Sequence, residues 1–139
     1  MPGYLLDTNV VSELRKPRPH GGVLAWLQGV ADSDLHVSVV TLAEIQAGVE
    51  ITREQDAAKA EQIEDWLDRV ARTYNVLPMD AAVFRAWAQL MHRRSDTLYE
   101  DGMIAATAKV HGLTVVTRNT GDFTPFGVDV LDPFANRRS

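Results

Sequence analysis

Five short apolar runs, at residues 3–6, 34–40, 76–79, 113–117 and 128–131, are separated by stretches of helical periodicity. Strands divided by helices cannot be joined by hairpins, so they lie parallel, with helices over both faces. The expected fold is α/β, a three-layer α/β/α sandwich with a mainly parallel sheet. Helices are expected at 8–15, 22–31, 41–51, 52–73, 81–94 and 97–111, and most boundaries have a local cause. Pro17, Pro19 and Gly21 break the first helix. Thr41 to Glu44, Thr52 to Gln55 and Thr97 to Glu100 have capping-box spacing. Asp80 is an N-cap, and Gly112 follows a basic last turn at His111. In run 34–40, Leu35, Val37 and Val39 share one face, with His36 and Ser38 on the other. Run 128–131 reads as an edge strand. With no repeat and no Gly-, Pro- or Ser-rich linker, residues 1–139 read as one domain.

In an open parallel sheet the functional crevice lies beyond the carboxyl ends of the strands, and acidic residues recur there. Asp7 closes the first strand, Glu44 lies in the first turn after the second, and Asp122 follows the fourth. Asp101 opens the helix that leads into the fourth strand. Each acid also has a structural reading. Asp7 is an N-cap, Glu44 the end of a capping box, Asp101 a first-turn acid favoured by the helix dipole, and Asp122 a turn former.

Two patterns favour a further role. Asp101 heads the stripe Ile104, Ala105, Ala108, and Glu44 heads Ala47, Gly48, Ile51, so both are expected on buried faces. A carboxylate in line with a buried stripe is costly unless something pairs with it, and no basic residue is obviously on offer. Clustered carboxylates of this kind call for a divalent cation. An oxygen-only donor set suits Mg²⁺ or Mn²⁺. Glu100, completing the box with Thr97, is read as structural. His20, His36, His92 and His111 lack metal-ligand spacing, and Ser12 and Ser38 lack a His–Asp pair, so neither zinc nor covalent serine chemistry is expected.

The chain has no cysteine, which excludes disulfides and thiolate metal sites and fits a cytoplasmic protein. No apolar run is long enough to span a membrane. A net charge of −5 argues against a broad basic surface for DNA. Local cations remain available to meet an anionic substrate: Arg15, Lys16, Arg18, Arg93, Arg94, Arg118, Arg137 and Arg138. Taken singly, each also reads as a solvated surface charge.

Four segments, in order, resemble the motifs of PIN domains. They are Asp7-Thr8-Asn9-Val10 after the first strand, Val40 to Ile45 around Glu44, Asp101 to Ala108, and Thr117-Arg118-Asn119-Thr120-Gly121-Asp122-Phe123. Within that family the chain is similar to the VapC toxins of toxin–antitoxin pairs, in the FitB-like branch. The resemblance implies a Mg²⁺- or Mn²⁺-dependent endoribonuclease with Asp7, Glu44, Asp101 and Asp122 as catalytic metal ligands. It implies Thr8, Asn9, Thr117, Arg118 and Asn119 as supporting or substrate-contacting residues. It further implies a homodimer, a cognate antitoxin that holds the toxin inactive, and operator DNA bound through that antitoxin. Transfer RNA is a frequent substrate in the family.

Two other classes share single features with this sequence. A haloacid-dehalogenase-like phosphatase also places Asp after its first strand, but needs a second Asp where Asn9 stands. A protein-binding module would use Val10, Val11, Leu14, Leu24, Trp26 and Leu27 as an apolar groove, although the same residues read as core.

Overall fold

The computed structural model describes residues 3–135. Five strands, β1 (Tyr4–Leu6), β2 (Leu35–Ser38), β3 (Asn75–Leu77), β4 (Thr114–Val116) and β5 (Val130–Leu131), form one sheet in the order β3-β2-β1-β4-β5. All four pairings are parallel. The helices are α1 (Thr8–Glu13), α2 (Gly21–Gln28), α3 (Val39–Arg53), α4 (Ala57–Thr73), α5 (Ala81–Met91), α6 (Tyr99–His111) and the single turn α7 (Thr120–Phe123). The parallel sandwich expected from the sequence is the one observed, with β5 at an edge.

Two apolar layers hold the sheet, and strand pleating assigns neighbouring residues to opposite layers. Leu5 and Val115 face a cluster with Met91, Ile104, Ala105, Ala108, Phe123 and Phe126. Leu6 and Val116 face the other cluster, with Val10, Val11, Val23, Leu35, Val37 and Val70. The central strands β1 and β4 are thus buried on both sides. Val10 and Val11 are fully buried, and Leu14, Trp26 and Leu27 pack against the second cluster, which makes them core. Leu24 is partly exposed. No helix among the described residues is long and apolar enough to cross a membrane.

Asp80 caps α5 as expected, its carboxylate accepting from the Val83 N–H at 3.0 Å. Gly112, at φ +66°, ends α6 in the left-handed region that glycine occupies without strain. The three capping boxes do not form. Ser38 starts α3 instead, accepting from the Val40 N–H, because β2 stays paired with β3 up to Ser38 and the chain turns there. Val39 is accordingly helical, not part of the strand. Thr52 remains inside α3 with its hydroxyl bonded back to the Gly48 carbonyl, and Asp56 caps α4. Thr97 sits in a 3₁₀ turn, Asp96–Leu98, capped by Ser95, and α6 begins at Tyr99 with no side-chain cap.

At Gly102 a Cβ would lie 2.6 Å from the Met91 sulfur and 3.3 Å from the Trp87 ring. Its absence lets α6 press against α5 one residue beyond Asp101, and this close approach fixes where that carboxylate stands.

Candidate functional site

Chain topology changes direction between β1 and β4. β2 and β3 are added on one side of β1, and the chain then crosses over to lay down β4 and β5 on the other. The crevice at such a switch point, beyond the carboxyl ends of the strands, is the usual ligand site of an open parallel sheet. Asp7 and Thr117 stand there side by side, one residue past the register pair Leu6 and Val116.

Asp7 is held by a closed set of hydrogen bonds. One carboxylate oxygen accepts from the Thr8 N–H at 2.9 Å, making Asp7 the N-cap of α1. The other accepts from the Thr117 hydroxyl at 2.9 Å and the Asn9 amide at 3.2 Å. Thr117 in turn accepts from the Asn119 N–H at 3.0 Å, and the Asn9 side-chain Oδ1 accepts from the Arg118 N–H at 3.1 Å. The loop after β4 is thereby tied to the start of α1. Asp7 is therefore the expected cap of α1 and also a buried carboxylate at the switch point.

Glu44 meets this group through Thr8. The Thr8 hydroxyl lies 3.2 Å from a Glu44 carboxylate oxygen and 3.1 Å from the Thr41 hydroxyl. A carboxylate only accepts, so Thr8 gives its proton to Glu44 and receives one from Thr41. Glu44 is half-buried for this reason, and not because it heads a buried stripe. Ala47 and Gly48 are exposed and Ile51 is 66% exposed, while the inward face of α3 runs through Thr41, Ile45 and Val49. Asp101 does head its expected stripe, with Ile104, Ala105 and Ala108 buried. Asp122 lies exposed on α7, in a helical turn anchored by the fully buried Phe123.

The acids act on one another electrostatically. Burial, then the charges of Glu100, Asp7 and Asp101, push Glu44 up to about 7. Burial, then Asp7, Asp122 and Glu100, raise Asp101 to about 6. Asp7 is raised by burial and by Asp122, against the downward pull of its bonds from Thr8 and Thr117. No cation pairs with any of them among the described residues. The buried Glu13 makes the contrast: it is satisfied by Lys16 at 3.0 Å and by the His20 N–H at 3.0 Å. Glu100, read from the sequence as a cap, makes no cap. It is exposed, and its charge bears on both Glu44 and Asp101. It is a fifth acid of the site, and its position next to Asp101 in the first turn of α6 was the available signal.

In donor chemistry the group suits a hard divalent cation. As the side chains stand, no three His, Cys, Asp or Glu residues among those described are placed to hold one ion between them. Charge-coupled but spread carboxylates suit an ion that keeps much of its water and takes few direct protein ligands, as Mg²⁺ does.

Three of the expected cations, Lys16, Arg94 and Arg118, serve the fold. Arg118 stacks 4.0 Å from the Phe134 ring, and Arg94 bonds the Leu90 and Pro125 carbonyls over Phe126. Lys16 pairs with Glu13. Arg137 and Arg138 lie outside the described residues.

The raised acids predict a pH dependence with a definite sign. Folding raises the pKa of Glu44, so the folded protein takes up protons before the unfolded chain as pH falls. Stability without divalent metal should therefore rise between pH 7 and 4.5 for Glu44, and between 6 and 3.8 for Asp101. For the half-exposed Glu44 the gain is on the order of 1–2 kcal/mol after solvent screening, or about 3–6 °C in Tm. Thermal melts in EDTA across this range should show the rise, and Glu44→Gln should flatten it. A Tm that falls steadily over the same range would contradict the electrostatic description.

A family profile described as PIN domain matches residues 4–124. The chain is 36% identical over 137 residues to the toxin FitB of Neisseria gonorrhoeae, spanning 94% of this chain and 97% of that protein. It is also 36% identical over 141 residues to the VapC ribonuclease Y4jK of Sinorhizobium fredii, spanning 94% and 96%. Among solved structures it is similar to a chain in the structure of FitAB bound to an IR36 DNA fragment. There the TM-score is 0.83 and the identity 34%, over 97% of this chain and 98% of that one.

Proposed function

The chain belongs to the PIN-domain family, and from that premise we propose that it is the toxin of a toxin–antitoxin pair, a divalent-metal-dependent endoribonuclease. The observation that carries this reading is the set of mutually repelling carboxylates at the β1–β4 switch point, of which Asp7 and Glu44 are fixed by hydrogen bonds and none pairs with a Lys or Arg among the described residues. Relatives named as a toxin and as a ribonuclease, similar along nearly their whole length, support it.

Asp7, Glu44, Asp101 and Asp122 are the proposed holders of Mg²⁺ or Mn²⁺, directly or through water. When bound, such an ion would activate a water toward the scissile phosphate and offset the charge developing on its oxygens. The chain's own residues supply position. Thr117 and Asn9 fix the Asp7 carboxylate, Thr8 fixes Glu44, and the backbone of Arg118 and Asn119 fixes the loop that carries Asp122. Thr117→Val keeps the shape but removes the donor to Asp7. It should lower the cleavage rate by roughly 10- to 100-fold with the circular-dichroism spectrum unchanged.

The proposed partners are a cognate antitoxin, operator DNA reached through that antitoxin, and a second copy of the chain. A structure of FitAB on DNA supports the first two. The homodimer would need apolar surface, and Phe84 and Tyr99, both 43% exposed, flank Trp87 on α5 and α6.

The test is cleavage of total cellular RNA by partner-free protein. Mg²⁺ or Mn²⁺ should support cutting at discrete mapped ends, transfer RNA among the candidate substrates, and EDTA should stop it. Undiminished cutting in EDTA would remove the metal from the proposal, and no cutting with either metal would remove the ribonuclease.

A further inference from the structure

Two clefts, the first of them beside Glu44, share the lining residues Arg15, Ile63 and Trp66. The first also holds Thr8, Ser12, Glu44 and Gly48, and so begins at the acidic centre. The second adds Lys59, Gln62 and Arg69. Because they share three residues, they make one groove, leading from Glu44 to the cations Arg15, Lys59 and Arg69.

Its α4 side is segregated by charge. Lys59, Gln62, Ile63, Trp66 and Arg69 recur at helical spacing on one face. The acids Glu61, Glu64, Asp65 and Asp68 fall outside the groove lining, and Glu64 is taken by Arg53 at 3.1 Å. Among the described residues none of the three groove cations pairs with a carboxylate. A chain of net charge −5 with an acidic centre repels a polyanion, so affinity for one must come from local cations of this kind. Trp66 packs its indole partly against the second apolar cluster and lines both clefts with the rest, an aromatic surface of the sort on which bases stack.

We propose that this groove carries the backbone of single-stranded RNA away from the acidic centre. Arg15, Lys59 and Arg69 meet phosphates flanking the cut, and Trp66 stacks on a base. The proposal rests on the ribonuclease reading given above. It names which surface takes the strand.

The test is binding of a fluorescein-labelled oligouridine by the full chain carrying Asp7→Asn, with Mg²⁺ present, followed by anisotropy from low to high KCl. The triple variant Arg15→Ala, Lys59→Ala, Arg69→Ala is compared with Arg72→Ala, Arg85→Ala, Lys109→Ala, which removes equal charge elsewhere. Three lost phosphate contacts should reduce the slope of log affinity against log salt by about 2. Affinity at physiological salt should fall roughly 10- to 100-fold, and the control slope should change by less than about 0.5. Equal slopes in the two triple variants would overturn the groove, and would assign it to a protein partner if the first variant also escapes antitoxin inhibition. These outcomes are separable from the ribonuclease reading, because the unsubstituted chain is assayed for cleavage of the same RNA.

Discussion

Asp7→Asn should lose RNA cleavage by about 10³-fold, the equivalent of several kcal/mol of charge stabilisation, while the protein stays folded. The amide keeps the oxygen that accepts from the Thr8 N–H at 2.9 Å, so the cap on α1 survives. On its other side the new NH₂ can donate to the Thr117 hydroxyl, but the bond from Asn9 at 3.2 Å is lost. Against that loss stands the relief of a buried charge raised by Asp122 and by desolvation. The two effects oppose, and Tm should stay within a few degrees of the parent. Asp101→Asn should be equally inactive. No side-chain bond of Asp101 is present among the described residues to be lost, so its Tm in EDTA should rise. Cleavage of a defined RNA and thermal melts on the same preparations check both. Full activity in either variant would remove that residue from the site.

Phe123→Ala should cost about 3–5 kcal/mol, a large fraction of the stability of a domain this size, and lower Tm by roughly 10–20 °C. Phe123 is fully buried against Leu5, Ile104, Ala105 and Val115, between the central strands and α6. It is also the residue that pins the turn bearing Asp122. Deleting its ring opens a cavity directly beneath the site, so cleavage should fall even below the melting transition. Phe123→Leu, which keeps most of the volume, should cost no more than about 1.5 kcal/mol and retain cleavage. Equal stability losses in the two variants would mean that the site relaxes around the missing ring.

The fold was legible because its signal is redundant. Apolar runs, helical periodicity and the Gly112 stop all point to a parallel sandwich, and no local error displaces the strands. Asp7 and Asp101 were legible for a related reason, since strand-end position and an intact buried stripe mark them independently. Glu44 was found through a wrong intermediate. Its helix starts three residues earlier than the capping box suggested, the buried face turns toward Thr41 and Val49, and Glu44 is half-buried by contact with Thr8. The capping boxes failed where strand pairing or a stronger neighbouring cap decided the boundary, a competition that spacing alone does not reveal. Glu100 was missed for the same reason. Two of the cations have partners that spacing could not reveal, Phe134 for Arg118 and Pro125 for Arg94. The groove of Arg15, Lys59 and Arg69 joins residues from either side of α3, and only the packing of α4 brings them together.

Direct binding of Mn²⁺ by metal-free protein at neutral pH, read by electron paramagnetic resonance, tests the central claim most directly. The parent chain should bind the ion stoichiometrically, and the variant carrying both Asp7→Asn and Asp101→Asn should leave it free in solution. Equal binding by the two proteins, or none by a parent chain that still cuts RNA, would contradict the account.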